Sequence, residues 1–166
     1  KERIDDLLFE IQPQASYAMA IREEIPDDAI VVNESTQVGY WNWVGFPVYE
    51  PRTFIAPGYQ GTLGYGFATA LGAQVGNPDR RVISINGDGG FMFNVQELST
   101  MALHNIPVIT IVFNDNCYGN VHAFQKQFFN GRHIATELRN PDFVKLAELF
   151  RVEGRRAEGP EGLRVA

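Results

Sequence analysis

Apolar residues fall along the chain in two alternating patterns. Short runs rich in β-branched residues predict buried strands at 29–32, 53–56, 83–85 and 108–113, with a further short strand near 151–157. Apolar residues at helical spacing predict helices over 16–25, 65–75, 93–104, 120–128, 141–150 and from residue 160 onward. Strands that alternate with helices predict an α/β fold of three layers, in which a mostly parallel sheet carries helices on both faces.

Helix ends and chain length define the expected domain. Ser16 and Asn140 are the predicted N-caps of the helices that follow them, the second with Pro141 at the first helical position. We interpret residues 1–15 as a linker or docking helix with apolar positions at Ile4, Leu7, Leu8 and Ile11. Residues 16–166 form the domain. Its last helix stops without the next expected strand, so we expect the domain to be truncated at its C-terminus.

Charge and cysteine content exclude several classes of function. The net charge of −6 and the scattered 14 Lys and Arg residues argue against nucleic acid or an anionic membrane as a partner. One cysteine excludes an internal disulfide and a thiolate zinc site. No apolar run reaches membrane-spanning length and no signal peptide is evident. We therefore expect a cytoplasmic protein.

Two polar runs follow consecutive predicted strands. Residues 87–90 read GDGG, and residues 114–116 read NDN at the end of the next strand. A right-handed crossover places the two strand ends side by side, at the sheet edge where open α/β folds bind ligands. Carboxylate and amide oxygens beside glycine amides suit a divalent cation that carries a phosphate.

A simple turn is the alternative for the GDGG run, with Asp88 bonded to the neighbouring backbone. A dinucleotide fingerprint requires glycine where Met92 stands, and no glycine run has the Lys and Ser/Thr of a P-loop. The glycine loop 58–64 and the polar turn 33–37 also lie at predicted carboxyl ends of strands. This convergence of four polar segments on one edge favours a ligand site.

The motif resembles that of thiamine-diphosphate-dependent enzymes. Twenty-four residues separate Gly89 from Asn114, which is similar to the family pattern GDG-x(24–27)-NN. Residues 61–66 (GTLGYG), 96–98 (QEL) and 140–147 (NPDF followed by LA) resemble the acetolactate synthase-like branch. The resemblance covers about residues 16–157 and identifies the chain as similar to the C-terminal, diphosphate-binding domain of these enzymes.

The resemblance implies that thiamine diphosphate is bound through Mg²⁺. The implied metal ligands are Asp88, Asp115 and the main-chain carbonyl of Cys117. Asp115 stands where the family has Asn, and Asn116 remains an alternative ligand, although the position of Gly119 favours Asp115. The implied cofactor contacts are Ser35, Thr36, Gln37, Gly61, Leu63, Gly87, Asp88, Gly89, Gly90, Asp115, Cys117, Tyr118, Gly119 and Asn120.

Three roles follow from the resemblance. The amides of Gly89 and Gly90, at the start of a helix, are expected to hold the diphosphate. The turn 35–37 is the second diphosphate contact. Leu63 either packs in the core or wedges beneath the cofactor and bends it.

We expect Cys117 to contribute its main chain alone, because no His or Asn partner supports a nucleophile.

The implied function is one half of the active site of a lyase or transferase that decarboxylates or joins 2-oxo acids. The other half is expected from a pyrimidine-binding domain on another subunit of a homo-oligomer. That domain carries the activating glutamate, so this chain is expected to hold no catalytic residue and to be inactive alone. A non-catalytic interaction module and a nucleotide-binding oxidoreductase domain remain the competing hypotheses.

Overall fold

The computed structural model describes residues 9–166, so Ile4, Leu7 and Leu8 of the predicted lead-in lie outside the described residues. In the described part, the strands are β1 (Ile30–Asn33), β2 (Phe54–Ile55), β3 (Val82–Gly87) and β4 (Ile109–Phe113). The helices are α1 (Gln14–Glu24), α2 (Gln37–Gly45), α3 (Tyr65–Gly76), α4 (Asp88–Phe91), α5 (Leu98–His104), α6 (Gly119–Phe128), α7 (Phe143–Leu149) and α8 (Gly159–Val165). Short 3-10 turns occupy Gly58–Gln60 and Val95–Glu97.

The four strands form one parallel sheet in the order β2-β1-β3-β4. Val31 lies opposite Phe54 on one side and Ile83 on the other, and Ile83 lies opposite Ile109. Because every strand runs in the same direction, all carboxyl ends meet at one edge. The predicted α/β class with a parallel sheet is confirmed.

Alternate residues of the strands supply two hydrophobic cores. Ile30 and Val32 pack with Phe67 of α3 on one face. Val31 and Ile83 pack with residues of α1 and α2 on the other face. This alternation is the two-residue period of a strand buried on both faces. Phe67 is fully buried, and burial of a side chain of this size contributes about 1.5–3 kcal/mol.

Two predicted elements differ in the structure. The helix predicted over 93–104 begins only at Leu98: residues 95–97 form a 3-10 turn before it, and the Asn94 side chain donates to the Gly64 carbonyl. The strand predicted near 151–157 is absent from the described residues. Arg151 has a positive φ of 63°, and the Val152 N–H returns to the Ala147 carbonyl as part of the end of α7.

Both predicted N-caps were wrong. Helix α1 begins at Gln14, so Ser16 lies inside it and its hydroxyl donates to Gln12 Oε1 at 2.6 Å. Helix α7 begins at Phe143, where the Asp142 side chain accepts from the Val144 and Lys145 N–H groups. Asn140 is therefore free for another role. Helix α2 was not predicted, because its aromatic residues do not follow a simple apolar stripe.

None of the helices in residues 9–166 is long and apolar enough to cross a membrane.

Candidate functional site

A cavity of about 210 Å³ lies at the carboxyl edge of the sheet, where the segments after β1, β3 and β4 meet. Four widely separated stretches line most of it: 35–37, 61–63, 87–90 and 115–121. Every residue predicted above as a cofactor contact lines this cavity. The parallel topology brings them together, since each follows the carboxyl end of a strand or lies in the loop before α3.

The Asp88 carboxyl group accepts three hydrogen bonds at this edge of the sheet. Asp88 is only 2% exposed and follows β3 directly. One carboxyl oxygen, Oδ1, accepts the Gly89 N–H at 2.9 Å. The other, Oδ2, accepts the Asn116 N–H at 2.8 Å and the Asn140 side-chain amide at 2.6 Å. Because a carboxylate has about four lone-pair positions, one remains for a further ligand.

The loop after β4 presents its oxygens in a fixed conformation. Asp115 Oδ1 accepts the Cys117 N–H at 3.1 Å, and Asn116 adopts a positive φ of 57°. Antiparallel pairing with residues 136–138 anchors the loop: the Tyr118 N–H donates to the Thr136 carbonyl and the Leu138 N–H to the Asn116 carbonyl, both at 2.8 Å. No backbone N–H in residues 9–166 donates to the Cys117 carbonyl, so that oxygen is available.

The two acids of the site lack a basic counterpart. Neither Asp88 nor Asp115 forms an ion pair with a basic side chain within residues 9–166. Desolvation, and then the nearby Asp88 carboxylate, raise the pKa of Asp115. An uncompensated pair of carboxyl groups at a cavity favours a bound cation.

Cys117 has the properties of a neutral thiol. Burial, followed by the charges of Asp115 and Asp88, raises the pKa of its side chain. A thiol held in its protonated form is a weak nucleophile. The described residues contain no group of three His, Cys, Asp or Glu side chains that could hold a metal. The ligand set implied by the family resemblance has only two such side chains, Asp88 and Asp115, and its third member is the main-chain carbonyl of Cys117.

The glycines at 89 and 90 are required by the protein's own side chains. A Cβ at Gly90 would lie 2.1 Å from Glu34 Oε1, and one at Gly89 would lie 2.5 Å from the Tyr118 ring. The helix that follows, α4, is a single turn, and the Gly89 N–H already donates to Asp88. A single turn has a much weaker dipole than a long helix, so little of the attraction for an anion at this position comes from the helix dipole.

Leu63 is 36% exposed and lines the cavity, so it is not a core residue. It precedes Gly64, whose φ of 80° lies in the left-handed region. A Cβ at Gly64 would also lie 2.8 Å from Phe93. Both constraints keep glycine at position 64 and present Leu63 at the cavity wall.

Sequence reasoning missed two polar residues of this edge. The Asn140 amide, expected to cap a helix, lies 2.6 Å from Asp88 Oδ2, 2.9 Å from Asn114 Oδ1 and 3.2 Å from Asn116 Oδ1. Glu34 is fully buried and accepts backbone N–H groups from Gly64 and Gly66. A sequence signal for Glu34 exists, namely a carboxyl directly after a four-residue buried strand.

Comparison with known proteins places the chain in a class. A sequence profile described as "Thiamine pyrophosphate enzyme, C-terminal TPP binding domain" matches residues 34–166. The probable acetolactate synthase large subunit of Methanococcus aeolicus is 38% identical over 165 residues, which cover 98% of this chain and 28% of that protein. The acetolactate synthase isozyme 2 large subunit of Escherichia coli K12 is 35% identical over 146 residues, which cover 85% of this chain and 27% of that protein.

A solved structure shows the same architecture. The thiamine diphosphate-dependent 4-hydroxybenzoylformate decarboxylase of Rhodococcus jostii RHA1 superposes with a TM-score of 0.84 at 34% identity, covering 92% of this chain and 29% of that one. The fold and its edge cavity thus define an α/β ligand-binding domain. The chain belongs to the family of C-terminal TPP-binding domains of thiamine pyrophosphate enzymes. It spans less than a third of the length of these relatives.

Proposed function

We propose that this chain binds the diphosphate of thiamine diphosphate through Mg²⁺, as one half of the active site of an acetolactate synthase-like enzyme acting on 2-oxo acids. The observation that carries the proposal is the hydrogen bond from the Asn116 N–H to Asp88 Oδ2, because it brings both halves of the family motif to one cavity. The family match supports the cofactor, and the oxygen donors support the metal.

The residues present fit Mg²⁺. Asp88 retains one lone-pair position, Asp115 carries an uncompensated carboxyl, and the Cys117 carbonyl accepts no backbone N–H in the described chain. Asp115 lines the cavity and Asn116 is not among its lining residues, which supports Asp115 as the ligand. Hard oxygen donors of this kind are those that Mg²⁺ prefers, together with phosphate oxygens and water.

In this proposal, the chain binds and orients the cofactor and does not supply a proton donor or nucleophile. Thiamine diphosphate, when bound, supplies an electron sink for chemistry on 2-oxo acids. The turn 35–37 and the backbone at 87–90 would hold its diphosphate, and Leu63 would contact the cofactor from the cavity wall. Correct placement of reacting groups accounts for a large part of the rate enhancement of such enzymes.

We further propose that residues 16–166 form the domain, that residues 1–15 lead into it, and that a pyrimidine-binding domain of another subunit in a homo-oligomer completes the site. The cavity of about 210 Å³ is smaller than the roughly 300–1,000 Å³ typical of small-molecule sites. Beside it, α6 exposes Val121, Phe124 and Phe128, which are 48%, 50% and 66% exposed. Both features support a site that another part of the protein covers.

Titration calorimetry tests the binding proposal on the protein produced at its full encoded length. We expect thiamine diphosphate to bind only when Mg²⁺ is present. Binding of NAD instead would support a nucleotide-binding oxidoreductase domain. Absence of binding to either compound would overturn the proposal in favour of an interaction module.

Enzymatic assay of the isolated chain tests the proposal of a half-site. We expect no turnover of 2-oxo acids by residues 1–166 alone, since the activating glutamate belongs to the partner domain. Turnover at the rate of the full-length protein would show that this chain holds a complete active site.

A further inference from the structure

The carboxyl group of Glu34 is buried beneath the cavity and takes no part in the site proposed above. Its side chain is completely buried, and it is not among the residues that line the cavity. Oε1 accepts the Gly64 N–H at 2.7 Å and Oε2 accepts the Gly66 N–H at 3.2 Å. Burial of an ionisable group is costly unless hydrogen bonds satisfy it, and here both oxygens are satisfied by backbone.

Glycines make room for this carboxyl group. A Cβ at Gly90 would lie 2.1 Å from Glu34 Oε1, and one at Gly66 would lie 2.8 Å from Oε2. The Glu34 N–H also donates to the Ile85 carbonyl at 2.8 Å, which fixes its backbone to β3. Glu34, at the end of β1, is therefore bonded to β3 and to residues 64–66, and its carboxyl group lies against Gly90 of α4.

The N–H group that Glu34 accepts directly follows Leu63 in the chain. The Gly64 N–H belongs to the peptide group that begins with the Leu63 carbonyl, so a fixed N–H fixes the plane of that peptide. Gly64 adopts a left-handed φ of 80°, and Leu63 lines the cavity. Glu34 accepts the Gly64 N–H, and no backbone carbonyl in residues 9–166 accepts it.

We propose that Glu34 is a positioning residue, which holds Leu63 and the glycine loop in the conformation that receives the cofactor. The proposal rests on the proposed function, because it concerns thiamine diphosphate at the same cavity. Glu34 does not line the cavity, and in this proposal it acts on the cofactor through the glycine loop and Leu63.

The test uses E34Q in the full-length protein with saturating Mg²⁺. The amide keeps the size of the side chain but turns a donor toward one of the two backbone N–H groups. We expect the thiamine diphosphate concentration for half-saturation to rise about tenfold or more. In a double-mutant cycle with L63A, E34Q should have little additional effect, because both changes remove the same support.

Q74L is the matched control. Gln74 is buried at the opposite end of α3 and donates to the Asn77 and Arg80 carbonyls at 3.0 and 2.8 Å. We expect Q74L to lower the Tm while leaving half-saturation by the cofactor unchanged. E34D, whose shorter carboxyl cannot reach both N–H groups, serves as the second variant if E34Q does not fold, and should weaken cofactor binding as well.

Two results would overturn the positioning role while the proposed function stands: unchanged cofactor binding by the folded E34Q or E34D protein, or effects of E34Q and L63A that simply add. Failure of the unmutated protein to bind thiamine diphosphate would instead overturn both proposals. The unmutated protein is therefore titrated first.

Discussion

Two buried acids follow neighbouring strands, and they differ in what they hold. Asp88 follows β3, lines the cavity and connects the loop after β4 to Asn140. Glu34 follows β1 and lies beneath the cavity, and its carboxyl group accepts the backbone N–H groups of Gly64 and Gly66. Both are nearly or completely buried. In the roles proposed above, one acid of this sheet edge presents oxygens to a ligand and the other supports the cavity wall.

The environment of each acid explains this division. Burial is the main cause that raises the pKa of Glu34, and the bonds from Gly64 and Gly66 partly oppose it. Asp88 has partners in three loops and one free lone-pair position. Asp88 lines the cavity and can therefore reach a cation bound there, whereas Glu34 does not line it.

D88N should have the largest effect. The amide loses the negative charge and turns a donor toward an N–H of Gly89 or Asn116. Loss of a residue that hydrogen-bonds to a metal ligand typically weakens metal binding about 10- to 100-fold. Loss of the ligand itself should cost more, so we expect Mg²⁺-dependent binding of thiamine diphosphate to weaken by more than about 100-fold. Titration calorimetry on the full-length protein measures this effect.

D142N is the control for D88N, because Asp142 caps α7 outside the cavity. It should leave cofactor binding unchanged. Equal binding by D88N and the unmutated protein would remove Asp88 from the ligand set.

N140A should have the next largest effect, since Asn140 orients Asp88 without lining the cavity. Loss of a hydrogen bond to a ligating carboxylate should weaken Mg²⁺ binding about tenfold. The measurement is a Mg²⁺ titration of cofactor binding. N77A, which removes an amide bonded to the Ala73 carbonyl at the far end of α3, is the control and should not change this titration. An N140A titration that matches that of N77A would contradict the orienting role.

D115N should weaken Mg²⁺ binding less than N140A does, because an amide oxygen still reaches the ion. The variant also changes the pH dependence of stability in the absence of metal. The raised pKa of Asp115 means that its favourable contribution is present at low pH and is lost as the pH rises through that pKa.

Thermal unfolding at several pH values measures this dependence. Relative to D115N, the unmutated protein should lose Tm without Mg²⁺ as the pH rises above about 4, the ordinary pKa of an aspartate. A constant difference in Tm over that range would show that Asp115 does not titrate as described.

C117S should have the smallest effect. The proposed contact uses the main-chain carbonyl, which the substitution retains. Binding of Mg²⁺ and cofactor should be unchanged within experimental error, as measured by the same calorimetry. A large loss of binding would assign a role to the sulfur atom, which its raised pKa and weak nucleophilicity do not support.

Local patterns were sufficient for the sheet but not for every helix. β1, β3 and β4 have continuous apolar runs, so their existence and direction could be predicted from the sequence. Helix α2 has Trp41 buried and Trp43 43% exposed within an aromatic-rich stretch, and no regular apolar stripe marks it. The strand expected near 151–157 has no partner strand in the described sheet, which sequence alone does not reveal.

The candidate site could be predicted where a motif specifies it. The GDG and ND runs located Asp88 and Asp115, and the structure places both beside one cavity. Glu34 and Asn140 were missed because their partners are distant in sequence. The Gly64 and Asp88 groups that they contact are brought near only by tertiary packing.

The close approach of Gly90 to the Glu34 carboxyl group restricts which residues positions 34 and 90 can carry together. With Glu34 in place, even alanine at position 90 would bring a carbon to 2.1 Å from a carboxyl oxygen. A larger residue there would be tolerated only together with a shorter side chain at position 34. Substitutions at these two positions should therefore covary across the family, and a designer who changes one must also change the other.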